Sequence, residues 1–204
     1  MDDQRKPFDR VDIKVVKISE KKSLTVGEYT VFRNALFQAD PGSEAFETLR
    51  RFLIMCRGLR FSDTQHLRQD IHYFEFQEGD AWYRYFATNA QKNGSKEIVP
   101  IAESEAPLLL QWQPDGFLFQ KIRYPVYSKQ LRTLSQALIG REITTHYGRH
   151  FTGDFILNSG EMGLEDVKKI LGVKSDRIAE IYAQKDIKEV LKKFYRAVEG
   201  MGEV

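Results

Sequence analysis

Two of the chain's four histidines flank an arginine in the run Thr145-His146-Tyr147-Gly148-Arg149-His150. On a helix, positions i, i+3 and i+4 are neighbours, so His146, Arg149 and His150 would share one face. An arginine repels a metal cation, which makes this face a poor metal site. It is instead a set of hydrogen-bond donors suited to an anion, above all a phosphate. No CxxC, HExxH or carboxylate cluster offers a rival metal site, and the glycines lack the spacing of a phosphate-cradling loop. Taken alone, residues such as His146 and Arg149 are more often a capping or surface pair than a catalytic one.

Three further groupings carry potential chemistry. Arg57-Gly58-Leu59-Arg60-Phe61-Ser62-Asp63 places an arginine just after an apolar stretch and a glycine break, with Asp63 spaced to hold its guanidinium. Gln91-Lys92-Asn93-Gly94-Ser95-Lys96 puts lysines at the expected tip of a hairpin. Leu171-Gly172 is followed, ten residues after that glycine, by Tyr182. A salt bridge, a charged turn and a buried tyrosine would explain them one by one.

In this order the four groupings resemble the catalytic domain of the tyrosine recombinases of the phage-integrase type. Gly58-Leu59-Arg60-Phe61-Ser62-Asp63 is similar to the family's first box. Lys92 to Pro100 is similar to its hairpin-lysine turn, His146-Tyr147-Gly148-Arg149-His150 to its His-x-x-Arg-His box, and Leu171-Gly172 through Tyr182 to its nucleophile box. The resemblance runs from about Leu24 to the end of the chain. It implies that Tyr182 attacks a DNA phosphodiester to give a 3′-phosphotyrosyl link and a free 5′-hydroxyl, with no cofactor and no metal. Arg60 and Arg149 would clamp the non-bridging oxygens. Lys92 would protonate the leaving 5′-oxygen, and His146 would accept a proton or donate to the phosphate. Asp63 would hold Arg60, and His150 would orient its helix. Lys174 and Arg177, with Lys121, Arg123 and Lys129, would meet backbone phosphates of double-stranded DNA.

One residue departs from the pattern. After Leu-Gly the family usually has His, sometimes Trp; here Val173 stands, which cannot donate. That departure motivates an alternative function, a non-cleaving DNA-binding protein on the same fold. A type IB topoisomerase-like enzyme is a third reading, against which the integrase-like spacing speaks.

The elements that must position these residues are mostly helical. Thr25-Val26-Gly27-Glu28 reads as a capping box opening a helix to about Gln38. Asp40-Pro41-Gly42-Ser43 is a turn before a second helix, with Phe46, Leu49, Leu53 and Cys56 at core spacing and Gly58 as its end. The stretches 72–77 and 81–87 alternate in polarity, 96–101 is a third, apolar run, and together they predict a three-stranded antiparallel sheet. From Pro125 onward helices are expected over 126–139, 144–158, 164–171, 175–183 and 186–198. The last presents an apolar stripe of Ile187, Val190, Leu191, Phe194 and Val198. In the family such a helix docks on a neighbouring protomer, giving self-association on DNA, but packing on its own domain serves the stripe as well. The class is therefore α+β, with residues 1–23 a tail or linker and 24–204 the catalytic domain. Family members usually carry a separate N-terminal helical domain; so little precedes Leu24 that either a catalytic-domain fragment or a short, invertase-like form fits.

Composition agrees. With 42% apolar and 29% charged residues, the chain has the mix of a soluble globular protein. No segment has the length and apolarity to span a membrane, and the charged N-terminus lacks a signal peptide's apolar core. The one cysteine, Cys56, cannot form an internal disulfide and fits a reducing, cytoplasmic setting, with nucleoid association following from DNA binding. The net charge of +2 is uninformative, but its distribution is not: residues 121–149 hold six basic side chains against one acid.

Overall fold

Thr25 opens the first helix, α1 (Val26–Gln38). Its hydroxyl accepts the Glu28 N–H at 3.1 Å, while Glu28 Oε2 accepts from Thr25 N at 2.8 Å. Two of the donors left unpaired at a helix start are thereby satisfied. The computed structural model describes residues 22–89, 96–172 and 187–199. Ser43 caps α2 (Glu44–Met55) through its side chain, and Phe32 of α1 meets Phe52 of α2 at 5.1 Å between ring centroids. Both rings are fully buried.

α2 also buries two arginines that core spacing did not anticipate. Arg50 donates to the carbonyls of Leu109, Gln111 and Leu118, and Arg51 to that of Gln120. Both guanidinium groups lie 4.4 Å from the Phe119 ring centre. Backbone carbonyls in a loop under the surface need donors, and these two side chains supply them.

The sheet is antiparallel, in the order β1 (Tyr73–Glu78), β2 (Ala81–Asn89), β3 (Lys96–Ile101). Register pairs Tyr73 with Phe86 and Arg84 with Ile101. Phe74–Tyr85 and Phe76–Tyr83 stack across the first two strands, contacts worth roughly 0.2–1 kcal/mol each. β3 is buried beyond its first residue. Four short helical turns escape the sequence patterns: α3 (Phe61–Thr64), α4 (Gln69–His72), a 3-10 turn (Glu103–Glu105) and α5 (Ala106–Leu109). Pieces of three or four residues are too short to show a helical period.

Among the described residues the remaining helices are α6 (Tyr124–Ile139), α7 (His146–Asn158), α8 (Leu164–Leu171) and α9 (Ile187–Glu199). They match the expected spans within two residues at each end. The expected helix over 175–183 lies outside the described residues. Tyr29 of α1, Phe151 and Phe155 stack in sequence through the core at 4.6 and 5.6 Å. α9 packs on β2 and β3 of its own chain with Val190, Leu191, Phe194 and Val198 buried. Tyr195 secures it, accepting from Arg84 N at 2.8 Å and donating to Ile101 O. Among the described residues no helix is long and apolar enough to cross a membrane. The Cys56 thiol is buried and free, and burial pushes its pKa upward, so it is inert packing.

Candidate functional site

Where α2 ends, the chain must turn against the end of α8. Gly58 makes the turn at φ +110°, and a Cβ there would stand 3.2 Å from both the Cγ2 and the carbonyl oxygen of Ile170. Only glycine fits both the dihedral and the space. The turn sends neighbouring arginines in opposite directions. Arg57 goes inward, fully buried, to an ion pair with Glu105 and a hydrogen bond to the Tyr29 hydroxyl at 2.6 Å. Arg60 goes outward and stays partly exposed. Asp63 accepts the Arg60 backbone N–H at 3.1 Å, so it holds this residue by its main chain as well as by charge. Its carboxylate lies 3.8 Å from the Arg60 guanidinium, an ion pair rather than a hydrogen bond.

The nearer partner of Arg60 is Glu97, which accepts from Nη1 at 3.2 Å. Arg149 reaches the same oxygen, Glu97 Oε1, from α7 at 3.1 Å. The two guanidinium groups therefore meet on one carboxylate oxygen, although they stand 89 positions apart in sequence. Arg149 also donates to the carbonyls of Gly58 and Leu171, tying together the α2–α3 turn, β3 and the end of α8. A glycine makes that reach possible. At Gly148 a Cβ would sit 3.1 Å from Cys56 N and Met55 C, so α7 crosses the end of α2 at backbone distance.

Depth orders this cluster. Side-chain exposure is 28% for Arg60, 18% for Arg149 and 0% for Glu97. The donors reach the surface and the carboxylate forms the floor. Desolvation pushes the Glu97 carboxyl up to about 6, against the downward pull of Arg149 and Arg60, with Asp63 adding to the rise. Burial, then the charge of Arg60, lowers the pKa of Arg149, which stays a cation at neutral pH. Arg149 has five N–H donors and spends three on Gly58, Leu171 and Glu97, leaving Nε–H and one Nη2 hydrogen without a partner among the described residues. Such an arrangement can bind an anion at the surface.

His146 opens α7, one turn from Arg149 and exposed; His150 is exposed too. Neither side chain hydrogen-bonds to a described residue. The three groups of the His-x-x-Arg-His run thus share a helix surface but differ in depth. Lys121 and Arg123 are exposed just before α6, and the Arg123 segment abuts α3: Gln65 donates to Ile122 O at 2.5 Å, and Phe61 stacks on Tyr127 at 5.0 Å. Lys129 lines a recess with Glu44 and Thr48 at the far end of α2, so the structure does not bring it to the arginine pair. Lys92, Val173, Lys174, Arg177 and Tyr182 lie outside the described residues.

Sequence reasoning missed Glu97. The signal was present: residues 97, 99 and 101 share one face of a strand. With Val99 and Ile101 turned inward, Glu97 had to follow. Tyr195, the next tyrosine after Tyr182, is not a free phenol. Its hydroxyl is engaged by the Arg84 and Ile101 backbone, and burial pushes it up to about 12.

Compared with solved structures, the chain is similar to the XerH site-specific recombinase bound to difH substrate in a pre-cleavage complex. The TM-score is 0.59 at 15% identity, over 84% of this chain and 53% of that one. A post-cleavage complex of XerH with palindromic difH substrate gives a TM-score of 0.58 at 15% identity, over 84% and 52%. The chain spans about half the length of those two solved chains. No family model and no curated protein matches it. The likeness shows the fold: a mostly helical tyrosine-recombinase catalytic fold with a small antiparallel sheet, the α+β class expected from the sequence.

Proposed function

We propose that the chain cleaves and rejoins DNA strands as a site-specific recombinase. In this reading Arg60 and Arg149 hold the non-bridging oxygens of one scissile phosphate. The Tyr182 oxygen attacks phosphorus, the bond to the 5′-oxygen breaks, the phenol proton passes to His146 and an ammonium proton of Lys92 goes to the departing oxygen. The phosphotyrosyl ester keeps the bond energy for rejoining. One observation carries the reading: two partly exposed guanidinium groups converge on a single anionic oxygen, the donor set that a phosphodiester gaining charge requires. The DNA complexes of the structural neighbours add support. Self-association on DNA belongs to the proposal. Exchange of α9 between protomers would need the Tyr195 hydrogen bonds to break first.

A non-cleaving DNA-binding protein is the second reading, favoured by Val173 at a position where a donor is usual. Covalent capture separates the two. Duplexes of randomised sequence, nicked so that the 5′-product diffuses away, are incubated with protein, and adducts are collected under denaturing conditions. The cleaving enzyme accumulates an adduct and Tyr182→Phe forms none. Losing one phosphate donor slows such chemistry by roughly 10²–10³-fold, so Val173→His should accelerate capture. No adduct from the wild type, with one restored by Val173→His, selects the non-cleaving reading.

A further inference from the structure

We infer that Glu97 is the positioning residue of the arginine pair and the internal occupant of the phosphate seat. As a carboxylate it holds Arg60 and Arg149 together, and it yields by taking up a proton when a phosphodiester binds. The inference rests on the reading of this cluster as a DNA phosphate site.

Geometry carries it. Glu97 Oε1 accepts from both guanidinium groups, at 3.2 and 3.1 Å, as a phosphate oxygen would. Its other oxygen, Oε2, is buried and has no hydrogen-bond partner among the described residues. A carboxylate kept purely to stabilise a buried ion pair should satisfy both oxygens, because the unpaired one carries its full desolvation cost. Half of this group is therefore poorly matched to the ionised form, and a proton on Oε2 would remove the charge that the burial penalises.

Charge balance leads to the same place. The charged groups facing Glu97 are Arg60 from the α2–α3 turn, Asp63 from α3 and Arg149 from α7. From α8 the Leu171 backbone carbonyl closes on the Arg149 guanidinium, and the register partner on β2 is the uncharged Thr88. Among the described residues that act on Glu97 most strongly, two cations and two anions cancel. A phosphodiester adds a third anion, and its charge doubles as the pentavalent state forms. Neutralising Glu97 removes the competing charge while its Oε1 still accepts from both arginines. Burial already holds this carboxyl at about 6, within reach of such a change at neutral pH.

The test uses the full chain and a generic DNA duplex at fixed low salt. A group near 6 goes from roughly nine-tenths ionised at pH 7 to nine-tenths protonated at pH 5. Wild-type affinity, followed by fluorescence anisotropy, should therefore tighten about tenfold over that range. Glu97→Gln, which copies the neutral acid, should bind about tenfold more tightly than the wild type at pH 7, and the gap should close at pH 5. Calorimetry in buffers of different ionisation enthalpy should show proton uptake on binding at pH 7 that falls by close to one in Glu97→Gln. Uptake is compared between the two proteins under identical conditions, so contributions common to both cancel. Glu97→Asp keeps the charge, so it should retain uptake and bind no tighter than the wild type. Weaker binding by folded Glu97→Gln, or equal uptake in the two proteins, overturns the inference. If Glu97→Gln fails to fold, absence of uptake by the wild type overturns it equally, and uptake retained by Glu97→Asp supports it. Arg60→Gln separates the two levels. If it leaves DNA affinity unchanged, the phosphate-site reading itself fails. If it weakens binding while Glu97→Gln does not tighten it, only the role of Glu97 fails.

Discussion

Gly148→Ala puts one methyl group where α7 crosses the end of α2. The new Cβ would stand 3.1 Å from Cys56 N and Met55 C and 3.2 Å from Cys56 Sγ. Favourable carbon contacts lie at roughly 3.5–4.0 Å, and two of these three neighbours are backbone atoms that cannot swing aside. Overpacking of this kind costs about 1–3 kcal/mol. Alanine returns about 1 kcal/mol through its higher helix propensity, for a net change between about zero and a loss of 2 kcal/mol. Gly153 supplies the control within the same helix. A Cβ there would meet only Leu171 Cδ1, at 3.7 Å, an ordinary contact. Gly153→Ala should therefore keep the propensity gain and stabilise the chain. The pair should differ by about 1–3 kcal/mol in urea unfolding, or several degrees in Tm for a chain of this size. Because Arg149 follows Gly148 directly and reaches Gly58 across the same contact, Gly148→Ala should also weaken DNA binding under conditions where it remains folded. Two variants of equal stability, both binding DNA as the wild type does, would refute the reasoning.

Glu105→Gln should destabilise the chain by about 3–5 kcal/mol in urea unfolding, because it leaves the fully buried Arg57 without its carboxylate. Tyr195→Phe should cost about 1–3 kcal/mol, since Arg84 N and Ile101 O lose their partner, yet it should still form the covalent adduct. An adduct lost in Tyr195→Phe but kept in Tyr182→Phe would reassign the nucleophile. DNA affinity should fall linearly on a log–log plot against salt, and Arg60→Gln should make that slope shallower by about one; an unchanged slope would place the phosphate contact elsewhere.

Most helices and all three strands were legible because each is long enough to show its period. The Thr25 capping box, the Gly79 turn and the Gly140 stop mark their ends with side chains or dihedrals that few other residues supply. The site was legible as a set of donors, Arg60 and Arg149 among them, but not as a network. Glu97 was not singled out within the Lys92 to Pro100 stretch, and only the folded strand shows it buried beneath the arginines. Asp63 looked like a guanidinium partner, and beside that ion pair it also accepts the Arg60 backbone N–H, which the spacing did not show. Arg50, Arg51 and Arg57 carried no sequence signal of burial, because the carbonyls and the Glu105 carboxylate that receive them lie some 48 to 69 positions away along the chain. Long-range acceptors have no local pattern.

The most direct test of the account is the residue that carries the DNA. An adduct captured on a nicked duplex is digested with nuclease and trypsin, and the modified peptide is sequenced by mass spectrometry. Cleavage after Arg177 and Lys185 releases residues 178–185, which contain a single tyrosine, Tyr182. A phosphonucleotide on that tyrosine, absent when Arg60 is replaced by Gln, is the predicted result. A phosphonucleotide on any other residue would contradict the account.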